Sequence, residues 1–192
     1  VGLMDIDITG RNIPNMVHLE SPDRHVKDGQ IFPVIGPHGI KVISMAFLLD
    51  DPDKPVIWRG PIKLGAITQF IGDVAWGELD YLVVDMPPGT GDAHLTLTQS
   101  IPLTGAVIVC TPQDVALLDA VRAIAMFGKV NIPVLGMVEN MSGFVCPDCN
   151  SQHDIFGSGG AEAQANAMKI PLLAKIPIHI PIRSNGDSGK TV

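Results

Sequence analysis

The 192 residues contain no G-x-x-x-x-G-K-[ST] loop, the motif whose backbone cradles nucleotide phosphates. Ser188-Gly189-Lys190-Thr191 matches only its tail: the first glycine would fall at Ser184, with neither a strand before it nor room for a helix after it. Positive charge is also scarce. A net charge of -7 and a pI of about 5.2 leave no basic field for nucleic acid or an anionic membrane, so neither partner is expected. No apolar run approaches the length of a membrane span, and no basic stretch leads into an apolar one at the amino end, so a cytoplasmic protein is expected. Three cysteines are too few for a secreted disulfide framework. Internal repeats and low-complexity tracts are absent as well. The chain opens Val1-Gly-Leu-Met, without an initiator methionine and in the pattern of a strand, so upstream sequence is expected to be missing.

What is present is the size of one α/β domain with enough apolar content for a sizeable core, so 1–192 is read as a single domain. Short apolar runs alternate with helical patterns. Val1 to Asp7 reads as a strand ending in acids, and Glu20 to Gly29 as an exposed loop. Ile31 to Ile35 and Lys41 to Phe47 are candidate strands around Gly36-Pro37-His38-Gly39. Ile62, Ala66, Phe70 and Val74 recur at helical spacing. Further on, Ala93 to Ser100 reads as a short helix and Gly105 to Cys110 as a strand; the helix begun by Thr111-Pro-Gln-Asp114 is expected to bury Val115, Leu118, Val121, Ala125 and Met126. Val134 to Val138 and Leu172 to Ile176 complete the strands, with a small-residue helix between them up to Met168. This alternation predicts a doubly wound, mostly parallel sheet flanked by helices.

The chemistry gathers at Tyr81-Leu-Val-Val-Asp85-Met-Pro-Pro-Gly89-Thr-Gly91-Asp92. Leu82 to Val84 has the pattern of a strand covered on both faces, and it ends on a carboxylate. Ligands of open α/β sheets bind beyond the carboxyl ends of the strands, which places Asp85 where a magnesium-bound phosphate would lie. Pro87 and Pro88 stiffen the turn, while Gly89 and Gly91 allow backbone N–H groups close to an anion. Asp92 is read as the cap of the next helix. Asp5 and Asp7, two residues apart on a strand, could face one site together or lie in a surface turn. A nucleotide switch is implied whose phosphate-binding half is not in the sequence.

Cys146-Pro-Asp-Cys149 is the second constellation, in a loop at 144–153. Two thiolates on one side of a tight turn suit metal, but two ligands do not complete a tetrahedral site. His153 could supply a third, a second chain could supply its own pair for zinc or an iron-sulfur cluster, or the pair could be a redox dithiol. Cys110, inside an apolar strand, reads as an inert core residue. His38, His94 and His179 show no partner in the sequence and read as solvated or core histidines; Trp58 reads as core.

Asp5-Ile-Asp7-Ile-Thr-Gly with Ile13-Pro14, Val56-Ile-Trp58-Arg59-Gly60-Pro61, Asp85-Met-Pro-Pro-Gly89-Thr-Gly-Asp92, Glu139-Asn140-Met-Ser, Cys146-Pro-Asp-Cys149 and Ile155-Phe-Gly-x-Gly-Gly160 occur in this order. Together they resemble the Mrp/ApbC family of MinD-like P-loop ATPases that carry iron-sulfur clusters, over essentially the whole chain. The resemblance implies that Asp7 positions or activates the attacking water with Asp5 beside it. It likewise implies that Asp85 holds Mg2+ through water, that the Gly89 N–H senses the γ-phosphate of ATP, and that Asn140 reads the adenine edge. Cys146 and Cys149 would bridge a 4Fe-4S cluster with the same pair of a second subunit, in a homodimer serving apo iron-sulfur proteins. Arg59 would reach the nucleotide or the partner subunit, unless it is a surface arginine at a helix start. The family's first strand and its lysine-bearing phosphate loop would precede Val1; without them ATP binding should be very weak. Two readings from other classes compete with this ATPase: a MinD/ParA-like positioning ATPase, which leaves the Cys pair unexplained, and a non-catalytic, zinc-stabilised binding module.

Overall fold

The computed structural model describes residues 1–7, 12–19, 26–27, 30–48 and 60–190, which gather into two compact units, Val1–Ile101 with Arg183–Val192, and Pro102–Ile182. Arg59 and Trp58 lie outside the described residues.

In the first unit, in chain order, are β1 (Gly2–Asp5), α1 (Ile13–Met16), β2 (Val26–Lys27), β3 (Gln30–Ile31), β4 (Val34–Ile35), β5 (Lys41–Ser44), α2 (Gly60–Gly72), β6 (Leu82–Asp85) and α3 (Asp92–Ser100). β1 is the central strand, parallel to β5 on one side and β6 on the other. β4 joins β5 antiparallel around Gly36 to Gly39, so of the two arrangements open to these segments, a hairpin or neighbouring edge strands, the hairpin forms. Met4, Ile6, Val42, Ile43, Ile67, Phe70 and Val74 are buried and form the core. Strand alternation ends sooner than the sequence suggests. β1 stops at Asp5, so Asp7 is positioned by the loop that follows rather than by strand periodicity.

The expectation that Leu82 to Val84 is covered on both faces is corrected. Among the described residues β6 is the end strand of its sheet, and Tyr81, Leu82 and Val83 are exposed, Tyr81 at 71%. Interior strands of a parallel sheet are sandwiched between helices; an end strand keeps an apolar sequence without that cover.

The second unit holds β7 (Ala106–Cys110), α4 (Asp114–Lys129), β8 (Val134–Val145), β9 (Gln152–His153), α5 (Gly160–Met168) and β10 (Leu172–Ile178). Its sheet runs β10-β8-β7, all parallel, with β9 folded back antiparallel on the end of β8. The buried face of α4 is Leu117, Ala120, Ile124 and Phe127, packed with Ile108, Cys110, Met137, Ala161 and Ala165. The expected face is right only in part: Val115 at 75%, Leu118 at 60% and Ala125 are exposed, whereas Val121 is half-buried and Met126 packs against this core. The helix is apolar on several sides, and the large side chains at Leu117 and Phe127 decide which side docks. β8 also runs past Val138 to Val145, bent where Met141 and Gly143 take positive φ of 56° and 78°.

α6 (Ile180–Asp187) follows β10 and was not visible as a helical pattern. Ser188-Gly189-Lys190 closes its carboxyl end rather than opening a helix, so it does not hold phosphate in the manner of a P-loop. Gly189 has φ +66°, and a Cβ there would come 2.7 Å from Cβ of His18.

Candidate functional site

Register places the acids of the first unit. Asp5 pairs with Ser44 of β5 on one side and with Asp85 of β6 on the other, so the carboxyl ends of these strands present Ser44, Asp5 and Asp85 side by side. Asp5 is fully buried. Its Oδ2 accepts the Ser44 hydroxyl at 2.6 Å and its Oδ1 the backbone N–H of Asp7 at 3.0 Å. Ser44 Oγ in turn accepts the N–H of Ala46 at 3.1 Å. Asp5 is therefore spent on fixing the chain at Asp7, while Asp7 and Asp85 keep partial exposure.

Burial raises the pKa of Asp5, against the pull of the Ser44 and Asp7 hydrogen bonds, and the charges of Asp85 and Asp7 add to the rise. Burial likewise raises Asp85, and the charge of Asp7 raises it further. Like charges gathered this way suit a divalent cation, which would relieve both effects. The described residues contain no group of three or more His, Cys, Asp or Glu arranged to ligate a metal directly. After β6, Gly89 turns the chain with φ +93° in the open, where a side chain would be strained and a backbone N–H is accessible. His94, on α3, is buried, and burial lowers its pKa: it is a core histidine.

In the second unit the functional candidates lie along β8 and the hairpin that follows it. Asn140 is half-buried, and its amide oxygen accepts the N–H of Met141 at 2.9 Å. The Cys-x-x-Cys turn closes the β8–β9 hairpin: the Cys146 N–H donates to the Ser151 carbonyl and the Asn150 N–H to the Cys146 carbonyl, both at 2.9 Å. Cys149 is exposed and Cys146 partly so, both as free thiols. Cys149 Sγ shares a hydrogen bond with Ser151 Oγ at 3.2 Å. The Ser151 hydroxyl and backbone, followed by Cys146, hold the Cys149 thiol below its usual pKa, which favours the thiolate that binds soft metal. His153 sits on β9 beside the Phe144 ring, 6.5 Å between centroids, and forms no three-ligand group with the cysteines. Burial instead raises the pKa of Cys110, as an inert core thiol requires.

Sequence reasoning gave no role to Glu139, Ser44 or Ser151. Glu139 is fully buried in the middle of β8, and its signal in the sequence is a charged residue set directly after the apolar run Val134 to Val138. Its Oε1 accepts the Ser142 hydroxyl at 2.5 Å and the Gly159 N–H at 3.3 Å; its Oε2 accepts the Ala161 N–H at 2.9 Å. Burial alone would raise its pKa, but these hydrogen bonds and the charge of Lys175 outweigh it and hold the carboxyl below the usual range.

Comparison with known proteins places this geometry. The family model described as ParA: NUBPL iron-transfer P-loop NTPase matches residues 1–192. An iron-sulfur cluster carrier protein of Synechocystis is 53% identical over 98% of this chain and 54% of its own length. The iron-sulfur cluster transfer protein NUBPL of Dictyostelium discoideum is 50% identical over 100% of this chain and 59% of its own. The chain thus spans little more than half the length of these relatives. Among solved structures, the nucleotide-binding protein of Archaeoglobus fulgidus in complex with ADP superposes with a TM-score of 0.83 at 41% identity, covering 98% of this chain and 73% of that one. The MinD protein of Pyrococcus horikoshii, at 20% identity and a TM-score of 0.67, shares the fold. With a doubly wound α/β framework, acids at the strand ends and a thiol pair on a hairpin, the chain belongs to the ParA/NUBPL family of iron-transfer P-loop NTPases.

Proposed function

We propose that this chain is the core of an ATP-dependent iron-sulfur cluster carrier, which binds a 4Fe-4S cluster between two copies of itself and passes it to apo iron-sulfur proteins. The observation that carries the reading is the Cys146–Cys149 turn: two accessible free thiols, one biased toward thiolate by Ser151, at the tip of a hairpin in an iron-transfer family. Two thiolates per chain are half of a four-thiolate set, so a second copy completes the site, and an exposed shared site lets cargo leave. A reducing compartment such as the cytoplasm would keep the thiols available.

In the nucleotide half, Asp85 would hold Mg2+ through water, Asp7 would orient the attacking water with Asp5 fixing the chain at Asp7, and the Gly89 N–H would meet the γ-phosphate. Bound Mg2+ would neutralise charge developing on the phosphoryl oxygens. Asn140 would offer its amide to an adenine edge, and Arg59 would contribute to nucleotide or partner contact. Neither a positioning ATPase nor a zinc module accounts for the acids and the thiols together.

Anaerobic reconstitution with iron and sulfide tests this. Expected are broad visible absorbance from a thiolate-ligated cluster and a shift toward dimer in sedimentation, both lost in Cys146→Ala/Cys149→Ala. Tight stoichiometric zinc with no cluster uptake would replace the carrier with a structural metal site.

A further inference from the structure

Hydrogen bonding along the second unit converges on one atom. Ser142 Oγ and the Gly159 N–H both donate to Oε1 of Glu139, and these two residues are the entry and the exit of the segment 143–158 that carries Cys146 and Cys149. A single buried oxygen therefore ties the two ends of the Cys-bearing excursion together. The other oxygen, through the Ala161 N–H, fastens the start of α5 to the same point. Glu139 is itself anchored in the sheet: Cys110 of β7 and Lys175 of β10 flank it in register, and its side chain has no exposure. Beyond the tie, the excursion is held by short-range contacts, the two-rung pairing of β8 with β9 and the hydrogen bonds of the Cys146 to Ser151 turn, and by Phe144 against Ile178 of β10. The excursion includes Gly143 with positive φ, the two-residue strand β9, and Asn150 in the left-handed region.

We infer that Glu139 is a positioning residue for cargo: it clamps the base of the Cys146–Cys149 hairpin and thereby sets how firmly the cluster is held. The inference rests on the carrier reading for the identity of the cargo, though not for the clamp itself. A glutamine at this position keeps the size but replaces one acceptor with a donor, which meets N–H or O–H groups that already donate. Ser142→Ala removes one hydrogen bond at the entry side and leaves the buried carboxylate its backbone partners. Ser142→Thr keeps the hydroxyl.

The experiment combines amide hydrogen exchange on the apo protein with iron release to a chelator from the anaerobically reconstituted protein, for wild type, Glu139→Gln, Ser142→Ala and Ser142→Thr. Losing one hydrogen bond of ordinary strength predicts roughly five- to tenfold faster exchange across 143–158 in Ser142→Ala. Exchange in 114–129 should be unchanged, iron release faster by a similar factor, and both effects reversed in Ser142→Thr. Wild-type exchange in the loop of Ser142→Ala would overturn the clamp. Faster exchange with wild-type iron release would overturn its role in holding cargo. A wild type that takes up no cluster would instead defeat the carrier reading, and the exchange data would still decide the clamp, so the two failures are distinguishable. Should Glu139→Gln fail to fold, the Ser142 pair carries the test.

Discussion

At the residue scale, burial and then the nearby charge of Asp7 work against ionisation of Asp85, and the effect has a sign. Asp85 has a raised pKa in the fold, so ionising it costs stability; the penalty is complete above the folded pKa and is relieved as pH falls through it. Asp85→Asn should therefore raise the melting temperature of the apo protein at pH 7 by a few degrees, about 2–4 °C per kcal/mol for a chain of this size. The same substitution should abolish any gain in melting temperature on adding Mg2+ with nucleotide. A thermal melt with and without Mg2+-nucleotide checks both; an apo variant less stable than wild type would show that Asp85 is structural. Asp85 was legible as a site candidate because an acid at a strand end carries a positional meaning, and Asp7 because it stands two residues from Asp5, though the loop rather than the strand places it. That Asp5 would be consumed by Ser44 was not, because the partner is 39 residues away and only the register of β1 against β5 brings the two together.

Elements show where pattern reasoning stops. The strand at Val134 to Val138 was legible, but its continuation through Glu139-Asn140-Met-Ser to Val145 was not, since polar residues and a positive-φ bend do not look like strand until β9 and β10 pair with it. The same limit applies to α4, whose apolar residues lie on more than one side. Phe127→Ala should cost about 3–5 kcal/mol of stability, while Val115→Ala, expected from sequence to matter, should change it by less than about 0.5 kcal/mol; urea unfolding of both variants decides between the two faces. Glu139 titrates with the opposite sign to Asp85. Its folded pKa is depressed, so its contribution is present above the ordinary glutamate range and is lost as pH falls through the folded value. Glu139→Gln should be less stable than wild type at pH 7, and the difference should shrink steadily below about pH 4.5, where unfolded glutamate takes up its proton. Denaturant midpoints across pH 3 to 7 would show a constant difference if the carboxylate charge were irrelevant.

For the whole molecule, the doubly wound plan was legible from the alternation of elements, and the structural neighbour at a TM-score of 0.83 agrees with it. Which strand would be an end strand was not legible, because burial of Leu82 and Val83 depends on neighbours that a local pattern does not record. Their exposure has a consequence for handling the protein. Among the described residues β6 pairs only with β1, and its second edge, bordered by Tyr81, Leu82 and Val83, is a template on which a further strand, of this chain or of another copy, can stack. At high concentration this chain should self-associate edge to edge into insoluble material, and a net charge of -7 should only slow the process. Val83→Lys, placing a charge on that border, should lower light scattering on storage while leaving the melting temperature within about 1–2 °C of wild type. Unchanged scattering would assign any precipitation to another surface.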